Sequence, residues 1–490
     1  MPCTTILVGK KASFDGSTMI ARNDDSMEGH FTPKKFVTVT PEKTPRRYRS
    51  VISHLEIDLP DNPLRYTAVP NAVEGKGIWA ASGVNAADVA MTATETITSN
   101  PRVLGADPLV EYIPPCDGSP ELPGGIGEED IVCLVLPYIH SAREGVRRLG
   151  SLLEQYGTYE MNGIAFQDHD EIWWLETIGG HHWIARRVPD DCYVVMPNQL
   201  GIDCFDMADA LGEQKNFMAS ADLQEWVEKY NLNLSFDGTL NPRDAFGSHD
   251  DADHVYNTPR AWYMLRCMNP HTKRWDGPDA EYTPESDDLP WCMKPEKKIT
   301  VEDVKYLLSS HYQGTPYDPY GSYGDPRERG KYRTIGINRN DFLAIIQMRP
   351  GKGTVEWLSF ASNAFSASIP MYADVDTTPD YFSSTTKEVS TDSFYWCSRM
   401  IAALADASYD KSRFHIERYQ EKTAARGHEI LNRWDVLLAA EPDAEKRRQL
   451  REQANEELAA MAKEEASRTL ALVLHEQSVI MKNEFARSDA

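Results

Sequence analysis

The chain has 490 residues, 41% of them apolar, enough for one large domain or two to three ordinary ones around a sizeable core. Its 75 acidic and 51 basic residues leave a net charge of −24, which repels a phosphate backbone and argues against nucleic-acid binding. No run approaches the roughly 20 apolar residues of a membrane span, and no basic segment followed by an apolar run marks a signal peptide. The expected compartment is therefore cytoplasmic, with no membrane contact, and the eight scattered cysteines, which form no CxxC pair, are expected to be reduced thiols.

The opening stretch CTTILVGKKASFDGSTMIARNDD predicts strands over 4–8 and 17–21, joined by a polar turn with Gly9, Asp15 and Gly16. Pairing of the two would bring Arg22 and Asp25 near Cys3. Short strands are expected at 36–40 and 66–69. A hairpin is expected from 77–82 and 89–94, with small and apolar residues on both sides of its turn. Glu128, Glu129 and Asp130 open a helical pattern and complement its dipole, and Pro137 is expected to kink it. A second helix is expected over 142–156, ended by Gly157. Strands at 161–167, 171–177, 182–187 and 192–196 read as one antiparallel meander. Further helices are expected at 221–230, 258–268 and 301–309. Strands return at 334–337, 342–348, 353–360 and from Val389 onward. From about Asp410 the composition turns to Glu, Lys, Arg and Ala at helical spacing, which predicts two or three long helices broken near Glu441-Pro442. The order fits α+β layers better than a parallel βαβ array.

Cys3 differs from the other cysteines by position. Read blandly, it is a small buried residue at a strand start. Read functionally, removal of Met1 and Pro2 gives one residue both a thiol and a primary amine. That amine, with a pKa of about 7.7–8.0, can take the thiol proton near neutral pH. Arg22 would favour the thiolate and Asp25 would orient the ammonium. A strand end at 197–199 could present the Asn198 amide. Glu95, at the end of the 89–94 strand, is either an exposed turn residue or a carboxylate for a cationic substrate end. His181 and His182 lie in a predicted strand, so they should point to opposite faces and share no ion. His249, His254 and the aspartates between them read as a hydrated acidic loop or a hard-cation site. No G-x-G-x-x-G, P-loop or G-x-S-x-G is present.

The run from Cys3 to Gly9, with Asp15-Gly16-Ser17-Thr18 and Ala21-Arg22-Asn23-Asp24-Asp25, closely resembles the N-terminus of the dipeptidase A family of cysteine-type N-terminal-nucleophile (Ntn) hydrolases. The stretches at 91–96, 157–163, 174–183, 257–263 and 335–339 resemble the same family. The resemblance implies a four-layer αββα Ntn-hydrolase sandwich with additional C-terminal helices, and hydrolysis of dipeptides without metal or other cofactor. The expected organisation is a leader of residues 1–2 removed on maturation, a catalytic domain over 3–405 and, from the change in composition, a helical extension over 406–490 packed on it. The related bile salt hydrolases and penicillin V acylases open in a similar way. Their oxyanion asparagine falls on Asn198, and a later active-site arginine falls on Arg260. Where they carry a second oxyanion asparagine, this chain has Glu95, which suits the amino group of a dipeptide. The implied set is thus Cys3, Arg22, Asp25, Asn198 and Arg260, with Glu95 for substrate. Alternatives are an amidase on N-acyl amino acids or bile-acid conjugates, and a catalytically silent scaffold. The terminal helices read as an amphipathic layer or a homo-oligomer contact.

Overall fold

The computed structural model describes residues 3–93, 95–116 and 118–483. Met1, Pro2 and the side chain of Glu95 lie outside the described residues.

Cys3–Val8 (β1) and Thr18–Asp25 (β2) form the expected hairpin, with Cys3 opposite Asp24 and Thr5 opposite Arg22. Every residue of both strands is buried, as in a sheet covered on both faces. The second strand runs on through the charged Arg22–Asp25 segment, past the predicted end at Ala21. β1 and β2 lie at the middle of a seven-stranded antiparallel sheet. Tyr193–Met196 and Cys292–Met293 extend it beyond β1. Asn340–Arg349, Gly353–Phe360 and Ile369–Tyr372 extend it beyond β2. A second antiparallel sheet follows the order Phe217–Ala219, His182–Arg187, Ile172–Ile178, Asn162–Gln167, Ala90–Thr92, Ser82–Val84, with Glu95–Thr96 also paired to Asn162–Gln167.

The two sheets face each other where Asn162–Gln167 and Ala90–Thr92 pack on β2. Helix Ala142–Tyr156 packs on the second sheet, and helices Thr258–Met268 and Val301–Leu308 pack on the first. The architecture is α+β. The alternation of a strand then sorts the charged end of β2. Arg22 and Asp24 turn toward the second sheet, whereas Asn23 donates to the Leu308 and Ile335 carbonyls on the helix side. Three long helices, Phe394–Ala407, Tyr409–Ala440 and Ala444–Ser478, pack on each other and on the far edge of the first sheet.

Five expectations need correction. The 192–196 strand does not complete a meander; it leaves the second sheet and pairs with β1. The second hairpin is shorter than expected and pairs only Ser82–Val84 with Ala90–Thr92, so 77–81 stays irregular. No strand forms at 334–337. The segment after Val389 is a helix from Phe394, because Phe394, Cys397, Ile401 and Ala405 recur at helical spacing and bury one face. Helix Glu128–Val135 ends, rather than kinks, ahead of Pro137.

Candidate active site

β1 brings Cys3 to the floor of the inter-sheet space, fully buried. Arg22 Nη2 donates to Cys3 Sγ at 2.8 Å and to Glu128 Oε1 at 2.6 Å, and lies 3.5 Å from Asp24 Oδ1. Arg22 Nη1 donates to the Ala81 carbonyl at 3.3 Å. The cationic fork thus links a thiol to two buried carboxylates. Lys34, itself buried, adds an ion pair to Asp24 at 2.8 Å and donates to the Trp79 carbonyl at 3.0 Å. Burial pushes the Asp24 carboxyl up, but the charges of Lys34 and Arg22 outweigh it and leave the pKa below the ordinary value.

Asn198 arrives by strand pairing. Met196 is opposite Thr5, so two residues further on the chain is level with Cys3. The Cys3 backbone N–H donates to Asn198 Oδ1 at 3.2 Å, and Asn198 Nδ2 donates to the Thr96 carbonyl at 2.9 Å. Arg260, in the first turn of Thr258–Met268 and fully buried, orients this amide. Its Nη2 donates to Asn198 Oδ1 at 2.8 Å and to Asn257 Oδ1 at 2.7 Å. Its Nη1 donates to Thr4 Oγ1 at 2.7 Å and to the Cys3 carbonyl. Cys3, Arg22, Asn198 and Arg260 are therefore brought together.

Asp25 is not. Its two oxygens accept from Arg333 and Asn340, on the face of β2 turned away from the thiol. The carboxylates beside Arg22 are Asp24 and Glu128 instead. Period-two alternation from Arg22 was a usable signal for Asp24. For Glu128 the only sequence sign was an acidic first helical turn, which reads equally as a solvated dipole partner. Here that turn is buried in full. Glu129 accepts the Val51 and Ile52 N–H groups. Asp130 is pushed up to about 7 by burial and then by the charge of Glu129. Glu160, raised by burial and by Glu128, accepts the Glu128 N–H at 2.7 Å.

Cys3, Asp24 and Glu128 place three ligand-type atoms within 4.8 Å of one another. The Arg22 guanidinium already stands among them and supplies the positive charge. His181 and His182 share a carboxylate rather than pointing apart. Their Nδ1 atoms lie 2.9 and 2.7 Å from Asp107, because His181 belongs to the turn and the strand begins at His182. Burial raises the Asp107 carboxyl, yet the bonds from His182 and His181 bring it down to about 2. His249 and His254 do not converge: one meets the Arg243 carbonyl, the other Asp287. Their loop matters differently. A cavity of about 340 Å³ beside Asn198 is lined by Asp250, Asp253, Thr96 and Tyr256.

A family model described as peptidase family C69 matches residues 2–422. The chain belongs to peptidase family C69. Within it, the chain is 54% identical to "Dipeptidase" of Bifidobacterium longum (strain NCC 2705), over 100% of both chains. It is 51% identical to "Probable dipeptidase A" of Streptococcus pyogenes serotype M3 (strain SSI-1), again over 100% of both. It is 46% identical to "Dipeptidase A" of Lactobacillus helveticus, over 88% of each. Family C69 membership makes the chain a peptide hydrolase by descent. Among its described residues, no helix is long and apolar enough to cross a membrane.

Proposed function

We propose that the chain is a cysteine-type dipeptidase whose nucleophile is Cys3, exposed as residue one by removal of Met1 and Pro2, on an αββα Ntn-hydrolase scaffold. The observation that carries this is the pair of contacts at one residue: Arg22 donates to the Cys3 sulfur at 2.8 Å while the Cys3 nitrogen donates to Asn198 at 3.2 Å. In the mature protein that nitrogen is the amine that takes the thiol proton and returns it to the leaving amine. Arg22 favours the thiolate, and Asp24 and Glu128 hold Arg22. The Asn198 amide, oriented through its oxygen by Arg260, donates Nδ2–H to the tetrahedral oxyanion. Water then hydrolyses the thioester. Asp250 and Asp253, lining the cavity beside Asn198, together with Glu95, favour a substrate with a free ammonium group over an acylated one. The named relatives support dipeptides as substrate.

The test is the mass of the mature N-terminus together with dipeptide hydrolysis by Cys3→Ala. Expected are a chain beginning at Cys3 and loss of activity by at least three orders of magnitude with the fold intact. Hydrolysis by a chain that still carries Met1 or Pro2, or by Cys3→Ala, refutes the reading. Asp25→Asn tests the expectation that this carboxylate orients the amine. A pH–rate profile unchanged from wild type assigns Asp25 to Arg333 and Asn340 alone.

A further inference from the structure

On the helix side of the first sheet, away from Cys3, a cavity of about 500 Å³ opens between helices Val301–Leu308 and Tyr409–Ala440. That volume suits a small organic ligand. Its walls include Trp357, Phe365 and Ile416, an apolar surface. Lys305 stands among them. Two of its N–H groups donate to Ser309 Oγ at 2.6 Å and to the Asn363 carbonyl at 2.7 Å. Its third has no acceptor among the described residues. Burial alone holds the amine down to about 7, so an anion brought beside it would restore its charge and gain from doing so. Ser368 also lines the cavity, and its buried hydroxyl has no hydrogen-bond partner among the described residues. Glu302, Glu417 and Glu421 lie toward solvent at the same cavity, with Arg413 3.7 Å from Glu417, which leaves the rim net negative. An amine that an anion would charge and a hydroxyl inside, apolar walls, and a net-negative rim outside make a complement to a small zwitterion.

We propose that this cavity binds a free α-amino acid with an apolar side chain. Its carboxylate would meet Lys305 and Ser368, its side chain Trp357 and Phe365, and its ammonium Glu417 and Glu421. The ligand class follows from these charges. That such a ligand would also be a product of the enzyme rests on the proposed function.

The probe is L-phenylalanine, titrated calorimetrically into the full chain after Cys3 has been carboxamidomethylated to close the other site. One saturable site is expected, weakened at least ten-fold in Lys305→Met, a variant whose melting temperature and circular dichroism report its folding. Phenethylamine, which lacks the carboxylate, should fail to bind the unsubstituted chain, so a poorly folded variant leaves the proposal testable. Absence of saturable binding up to millimolar concentration, equal affinity in folded Lys305→Met, or binding of phenethylamine as tight as that of phenylalanine overturns it. If dipeptide hydrolysis instead survives the alkylation, the nucleophile reading falls while the calorimetric result stands.

Discussion

Cys3 is made distinctive by its neighbours. A buried thiol in apolar surroundings is inert, because desolvation opposes its ionisation. Here a guanidinium reaches the sulfur, and that guanidinium is held by Glu128 and Asp24. On the proposed function, Asn198 is the residue whose removal separates binding from chemistry. Its amide oxygen is fixed by Arg260 and by the Cys3 N–H, so its nitrogen is aimed without help from substrate. Asn198→Ala is expected to lower kcat for a dipeptide by about 10²–10³, the usual loss of one oxyanion donor, with KM little changed. Steady-state kinetics check this; a rise in KM alone would make Asn198 a ground-state contact.

At the scale of elements, one strand decides the site. Tyr193–Met196 reads as a fourth meander strand, since it follows three others at short spacing. Pairing with β1 instead carries Asn198 across to Cys3. The first sheet also carries a buried carboxyl that the proposed chemistry does not use. Glu356, in Gly353–Phe360, is fully buried, and its only described hydrogen bond comes from Thr67 Oγ1 at 2.6 Å. Burial raises it to about 7, against a smaller opposing effect of the Thr67 bond. The folded chain therefore holds a proton that the unfolded chain releases near pH 4.5. Stability from this group is complete below the unfolded pKa and falls as pH rises toward 7, by an amount on the order of 3 kcal/mol. Glu356→Gln should remove that fall. Its melting temperature should match wild type near pH 4.5 and exceed it above pH 7. Parallel curves across that window would mean that Glu356 ionises freely.

At the scale of the whole molecule, the terminal helices share one core with the first sheet. Arg349, on a central strand, donates to Asp435 on Tyr409–Ala440 through Nη1 at 2.8 Å and Nη2 at 3.1 Å. Tyr372 adds a bond to the same carboxylate at 2.8 Å. Both ion-pair side chains are more than nine-tenths buried. Asp435→Ala strands a buried guanidinium and should cost about 3–5 kcal/mol. Urea unfolding should show the loss as one shifted transition for the whole chain. A separate early transition of the helices alone would instead make residues 406–490 an independent unit.

Local pattern was enough for much of this chain. Helices 142–156 and 258–268, the strands at 182–187 and 353–360 and the break at Glu441-Pro442 were legible because each depends on periodicity or on a breaker within one segment. The contiguous motif around Cys3 and Arg22 was legible for the same reason, and it carried the family resemblance. Tertiary structure alone decided which sheet the 193–196 strand joins, that Asp24 and Glu128 rather than Asp25 lie on the Cys3 side of the sheet, and that Lys305 lines a cavity. These outcomes depend on contacts between segments far apart in sequence. A residue's own neighbours in the chain carry no record of which distant charge will be desolvated beside it.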